Sequence, residues 1–253
     1  ASQGHRIWIM SYPNDQPVVE SAHLFATELA ALRAKGISQI IIVAHSMGGL
    51  VSRQMLTDPA IDFTEQADSG QMPVVISLVM VGTPNSGSEL ARLRGFTELR
   101  DQIARFSKGE GHWLGGILDG AGEAKFDLLP DSRFLESLNA RPHPEGVDML
   151  VIAGIATPWS EDEIDSLALS LREQAPENMS QMISELRDIL QSMTHGLGDG
   201  LVTVDSARLE GIPLVTLPGT HLSIIRNLSK KSQRIPPAIP IITDYIRHHS
   251  LGI

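Results

Sequence analysis

Ser46 stands in Ala44-His-Ser-Met-Gly-Gly49, between the apolar run Ile40–Ala44 and a stretch of helical character that opens near Met47. A serine on so tight a strand-to-helix turn is pushed out of the pleat, and small neighbours let the backbone pack closely on either side. The N–H groups that follow, Met47 first, point at whatever the Oγ attacks, and the helix start adds partial positive charge there. Ala44 occupies a position where such turns usually carry glycine, and it is small enough to serve. A serine of this kind becomes a nucleophile when a base takes its proton and an acid fixes the tautomer of that base.

Of the 9 histidines, His221 is the best-placed base, because Pro218-Gly-Thr-His-Leu-Ser223 is a loop that follows the last strand-like segment. His5, His23, His112, His143, His248 and His249 read as solvated or core-satisfied side chains. His45 shapes the turn or borders a pocket, and His195 flanks the loop that carries the acid. That acid is expected to be Asp199, in Gly198-Asp-Gly200. Asp205 is the rival carboxylate, although in Asp205-Ser-Ala207 it reads more naturally as the N-cap of a short helix.

These residues need a scaffold. Arg6–Ser11 is β-rich and ends in Tyr12-Pro-Asn-Asp15, so a buried strand is expected there. Val18, Ala22, Phe25, Leu29 and Leu32 recur at helical spacing up to a Lys35-Gly36 stop. Ile40–Ala44, Val74–Val81, Asp148–Ala153 and Pro213–Leu217 are strand-sized, and runs apolar on both faces suit parallel strands covered by helices. Strands alternating with helices predict an α/β fold with a mostly parallel sheet, in a single domain over residues 1–253.

Two insertions, about 88–146 and 157–196, are too long for ordinary connections of about 2–6 residues and are expected to form a cap or lid. The first carries the stripe Leu90, Leu93, Phe96, Leu99, Ile103 and Phe106, followed by a glycine-rich apolar stretch that includes Trp113. The second carries Met182, Ile183, Leu186, Ile189, Leu190 and Met193, and is acidic. Phe96, Trp113, Leu186 and Ile189, with His45 and Thr83, are the expected substrate-pocket residues.

Composition excludes other classes. With 20 basic against 30 acidic side chains and a formal charge of -10, the chain lacks the basic footprint of a nucleic-acid binder. No cysteine is present, which rules out disulfides, zinc ribbons, iron–sulfur clusters and a thiol nucleophile. A cysteine-free chain suits cytosol and periplasm equally. No apolar run approaches the roughly 18 residues that a membrane-spanning helix needs, and no metal-ligand cluster stands out.

Taken together, Tyr12-Pro13, Ala44-His-Ser-Met-Gly-Gly49, Val81-Gly-Thr-Pro-Asn-Ser-Gly87, Pro130-Asp-Ser-Arg-Phe-Leu135, Gly198-Asp-Gly200 and Gly219-Thr-His221 resemble the α/β-hydrolase superfamily. Within it they are similar to the lipase-like branch of bacterial triacylglycerol lipases and inositol-deacylase-like esterases. The resemblance spans nearly the whole chain. It implies a Ser46–His221–Asp199 triad, hydrolysis of acyl esters or lipids through an acyl-enzyme, Met47 N–H as one oxyanion donor, and no organic cofactor; some lipases of this branch carry a structural calcium, for which the sequence offers no ligand cluster. It also implies that Thr83-Pro84 closes a loop beside the pocket. Acyl transfer, thioester hydrolysis on the same triad, and a non-catalytic lipid-binding module are the alternatives.

One feature departs from that family. A strand and an oxyanion loop normally precede the strand that Arg6–Ser11 resembles, and that missing strand normally lies between Arg6–Ser11 and the Gln39–Ala44 strand. A slot is therefore expected there, either empty because the N-terminal segment was removed or filled by a segment of another chain. Alternatively, Arg6–Pro17 itself supplies the strand and the oxyanion loop.

Overall fold

The computed structural model describes residues 6–13, 15–88, 124–156, 160–174, 179–194, 198–227, 229 and 231–250. Among the described residues, four parallel strands form one sheet in the order β1 (Gln39–His45), β2 (Val74–Val81), β3 (Asp148–Gly154) and β4 (Leu214–Leu217). All four coincide, within a residue or two, with the apolar runs of the sequence. Helix α1 (Val18–Ala34) follows the expected stripe, α2 (Met47–Thr57) opens at Met47, and Gly36 at φ 85° turns the chain after α1.

Alternate residues of the central strands feed two cores. Leu78, Met80, Met149 and Val151 join Leu29, Leu50 and Met55 of α1 and α2. Val79, Val81, Leu150 and Ile152 face Ile224 together with Ala238 and Ile242 of the last helix, Ala238–Ser250. Burial on both faces is why the middle strands are nearly continuous in Val, Leu, Ile and Met.

Between β1 and β2 lies the short helix α3 (Phe63–Asp68). Between β2 and β3 come α4 (Ala124–Asp127) and α5 (Arg133–Asn139), which pack with the body rather than forming part of a cap. Leu135 and Leu138 are buried in the core shared with α2, and the Asp127 carboxylate accepts the Val18 N–H at 2.9 Å, capping α1 from afar. Ser132 caps α5 by accepting the Leu135 N–H.

The second insertion is a helical hairpin, α6 (Glu161–Gln174) and α7 (Ser180–Thr194). Asp165 pairs with Arg187 at 2.7 Å and the Arg172 guanidinium donates to Ser184 at 2.9 Å, which fixes the two helices antiparallel. Short helix α8 (Val204–Ala207) then leads to β4, and the Ala238–Ser250 helix, α9, closes the chain. No helix among the described residues is long and apolar enough to cross a membrane.

The expectation for Arg6–Ser11 is not met: the segment runs without strand pairing, with Ile7 66% and Ile9 88% exposed. Its Trp8 ring lies 5.6 Å from Lys35 Nζ, just before β1, and Tyr12 reaches Gly48, just after it. The segment thus runs in the same direction as β1 without hydrogen-bonding to it. Its β-forming composition goes unpaired although β1 is the edge strand of the sheet. Direct pairing with β1 is absent.

Candidate active site

Ser46 is the single residue between β1 and α2, and its backbone sits at φ 55°, ψ −132°, a region that non-glycine residues enter only under constraint. Three contacts supply that constraint. Its N–H donates to Val81 O at 2.9 Å, its carbonyl accepts the Gly49 N–H at 3.0 Å, and the same carbonyl accepts the Thr83 hydroxyl at 3.0 Å. A side chain at Gly49 would place Cβ 2.6 Å from Thr83 Cγ2, so this glycine is obligatory, whereas a Cβ at Gly48 would meet Tyr12 Oη at an ordinary 3.6 Å. Thr83, expected on a pocket wall, is fully buried and buttresses the turn from behind. Met47 opens α2, so its N–H has no partner in the helical ladder.

The expected acid and base converge from two other strand ends. Asp199 is 1% exposed and His221 is fully buried. The Asp199 Oδ2 accepts His221 Nδ1–H at 2.8 Å, and its Oδ1 accepts the N–H groups of Leu201 and Val202 at 3.0 and 2.8 Å. The main chain repeats the link, with His221 N–H donating to Asp199 O at 2.9 Å. With Nδ1 committed as donor, Nε2 carries the lone pair, and it is a buried nitrogen with no hydrogen-bond partner.

Glycines make room for this pair. A Cβ at Gly82 would lie 3.1 Å from Asp199 Oδ2 and 3.2 Å from the His221 ring, and one at Gly154 would lie 2.7 Å from Asp199 Cβ. Gly82 directly follows β2 and Gly154 is the last residue of β3, and a glycine directly after an apolar run is the signal in the sequence that marks this space.

Asp205 is exposed and makes no contact with His221. It is also not the N-cap of α8: Thr203 takes that role, its hydroxyl accepting the Ser206 N–H at 3.1 Å, and Asp205 lies in the first turn. Both are capping residue types, and the chain's entry into the helix decides between them. A cavity of about 320 Å³ lined by Ser86, Gly87, Pro130, Leu201, Thr203, Asp205 and Ser206 borders the acid loop and includes neither Ser46 nor His221.

Sequence reasoning missed a buried polar chain that locks these loops together. Arg53, 4% exposed on α2, donates to Asn85 Oδ1 at 3.0 Å; Asn85 Nδ2 donates to Ala207 O at 2.7 Å; and Asn139 Nδ2 donates to Asn85 O at 2.9 Å. Burial and the nearby Arg141 charge lower the Arg53 pKa to about 10. This chain joins α2, the loop after β2, α5 and α8, and so sets the Ser46 turn against the segment that follows the acid loop.

Among the pocket candidates, Leu186 is buried and Ile189 half-buried within the α6–α7 hairpin. Phe96 and Trp113, with the rest of the Leu90–Phe106 stripe, lie outside the described residues, as does His195. No group of three or more His, Asp or Glu side chains among the described residues is arranged to hold a metal ion.

A parallel sheet covered on both faces, with a strained serine at the strand-to-helix turn and a buried Asp–His pair at neighbouring strand ends, defines the α/β-hydrolase class. The chain has the α/β-hydrolase fold. Residues 19–129 match the PGAP1-like alpha/beta domain family. Among solved structures, the chain is similar to the mature lipase BlEst2 of Bacillus licheniformis, at 20% identity and TM-score 0.57, covering 92% of this chain and 75% of that one. The metagenomic carboxyl esterase MGS0156 aligns at 22% identity and TM-score 0.55, covering 92% of this chain and 63% of that one. The phospholipase PlaB from Legionella pneumophila aligns at 15% identity and TM-score 0.53, covering 97% of this chain and 49% of that one. No curated protein matches the sequence. By fold, the protein is similar to lipases and esterases.

Proposed function

We propose that the chain is a serine carboxylic-ester hydrolase that cleaves acyl esters or lipids through an acyl-enzyme on Ser46. The observation that supports this most directly is the Asp199–His221 hydrogen bond of 2.8 Å, which leaves a lone pair on buried His221 Nε2. Ser46 Oγ attacks the ester carbonyl carbon while His221 Nε2 takes its proton. The carbonyl π electrons move to oxygen, and the Met47 N–H stabilises the resulting oxyanion. Collapse expels the alcohol, which takes the proton back from Nε2, and leaves the acyl group on Ser46. Water then repeats the sequence, giving its proton to His221, and the acid departs as Ser46 regains its hydrogen. Asp199 keeps Nδ1 protonated throughout and stabilises the imidazolium formed in each half-reaction.

An oxyanion hole normally has a second donor. Nothing among the described residues pairs with the outer edge of β1, and Ile7 and Ile9 are exposed alongside it. We propose that a strand from outside the described residues fills this slot and that the loop after it brings the second donor. The α6–α7 hairpin, with the insertion that contains Phe96 and Trp113, would then cap the acyl site.

A fluorophosphonate tests the assignment, since it labels serines activated by an adjacent base. Labelling of Ser46 alone is expected, together with hydrolysis of p-nitrophenyl esters that Ser46→Ala abolishes. Labelling that survives Ser46→Ala would remove the nucleophile.

A further inference from the structure

His45 is the last residue of β1 and the residue directly before Ser46, yet its side chain turns toward the base. Its Nε2 lies 2.8 Å from the main-chain carbonyl of His221, and the two imidazole rings face each other with centroids 4.6 Å apart at 48°. A carbonyl only accepts, so Nε2 carries the proton and the tautomer of His45 is fixed. The His221 peptide is thus held on both sides: Asp199 O takes its N–H, and His45 grips its C=O.

We propose that His45 is a positioning residue that sets the His221 ring relative to Ser46 through the His221 main-chain carbonyl. The inference rests on the assignment of Ser46, Asp199 and His221 given above. It makes a connection that the sequence conceals, because the residue on one flank of the nucleophile holds the base, 176 positions further along the chain. A main-chain hydrogen bond suits the task, since it fixes the Cα of His221 while Nδ1 and Nε2 stay free for Asp199 and the reacting proton.

Charge supports the arrangement. Burial, with the neighbouring His221, lowers the His45 pKa to about 4. His45 is therefore neutral while His221 cycles through its imidazolium, and adds no like charge against it.

The test compares His45→Phe, which keeps a ring but removes the donor, with His45→Gln, whose amide nitrogen is the same number of bonds from Cβ as Nε2. One readout is the downfield proton resonance of His221 Nδ1–H in the unliganded protein, and the other is kcat and KM for a p-nitrophenyl ester. His45→Phe should shift the resonance or lose it to exchange. It should also lower kcat by about 10–10² with KM unchanged, because small displacements of a reacting group have effects of that size. His45→Gln should restore both. His45→Leu replaces the Phe variant if the larger ring disrupts folding. An unchanged resonance in the donor-free variant, or donor-free and Gln variants that behave alike, would overturn the proposal. The resonance needs no turnover, so the role of His45 is tested separately from the Ser46 assignment, which Ser46→Ala decides.

Discussion

At Ser46 a backbone in the positive-φ region is held by three hydrogen bonds and by a glycine whose missing Cβ leaves space for Thr83. In the α6–α7 hairpin, by contrast, none of the described residues has a positive φ. Ile164, Leu167, Ala168 and Leu171 on one helix and Ile183, Leu186 and Leu190 on the other are buried at helical spacing, and exposed ion pairs decorate the outside. The turn stores local cost in exchange for a fixed geometry, which is where such cost is usually found in enzymes. The hairpin is generic packing, where many apolar residues of suitable volume would serve. Substitutions near Ser46 should therefore act through geometry and chemistry, and those in the hairpin through volume alone.

The largest effect expected from this contrast is on turnover. On the proposed mechanism, Asp199→Asn keeps the fold but loses the carboxylate that fixes the His221 tautomer, and kcat should fall on the order of 10⁴. Asp205→Asn, at an exposed position, should leave kcat near that of the parent. The reverse result, read by ester hydrolysis on both variants, would move the acid to Asp205.

Next in size, Leu186→Ala should cost about 2–5 kcal/mol of stability, read by denaturant unfolding, because a buried leucine is replaced by a cavity. A near-neutral result would mean that the hairpin collapses onto the gap and is less well packed than its burial indicates.

At the turn, Gly49→Ala should cost about 1–3 kcal/mol through overpacking against Thr83, while Gly48→Ala should stay below about 1 kcal/mol. Equal costs for the two variants would show that the turn yields to a methyl group at either site. Such a result would erase the distinction between a strained turn and a tolerant hairpin.

The smallest effect is expected at Arg187, whose ion pair with Asp165 lies on the hairpin surface. Arg187→Ala should change Tm only slightly, and the difference should vanish in high salt, since screening already weakens exposed pairs.

Much of this architecture is legible in the residues. Strands β1 to β4 follow from short apolar runs, because a strand covered on both faces must be apolar at successive positions. Helix α1 follows from its stripe and its Lys35-Gly36 stop. Ser46 is visible because a strand, a small-residue turn and a helix succeed one another without a gap, and Asp199 and His221 because both sit in glycine-flanked loops beside strands. Composition misleads at Arg6–Ser11 for a physical reason: it reports a preference for extended backbone, but a strand exists only where a partner edge satisfies its hydrogen bonds.

The sequence by itself determined the order of the elements, the identity of the strained serine and the candidate acid and base, since periodicity and turn chemistry act within a few residues. Only the tertiary structure decided which loop glycines are indispensable, that Thr203 rather than Asp205 caps α8, and that residues 124–146 belong to the body. It also decided that Thr83 buttresses the Ser46 turn and that His45 grips the carbonyl of His221. These are contacts between residues far apart in the chain, and their chemistry is set by distance and burial, which no local pattern encodes.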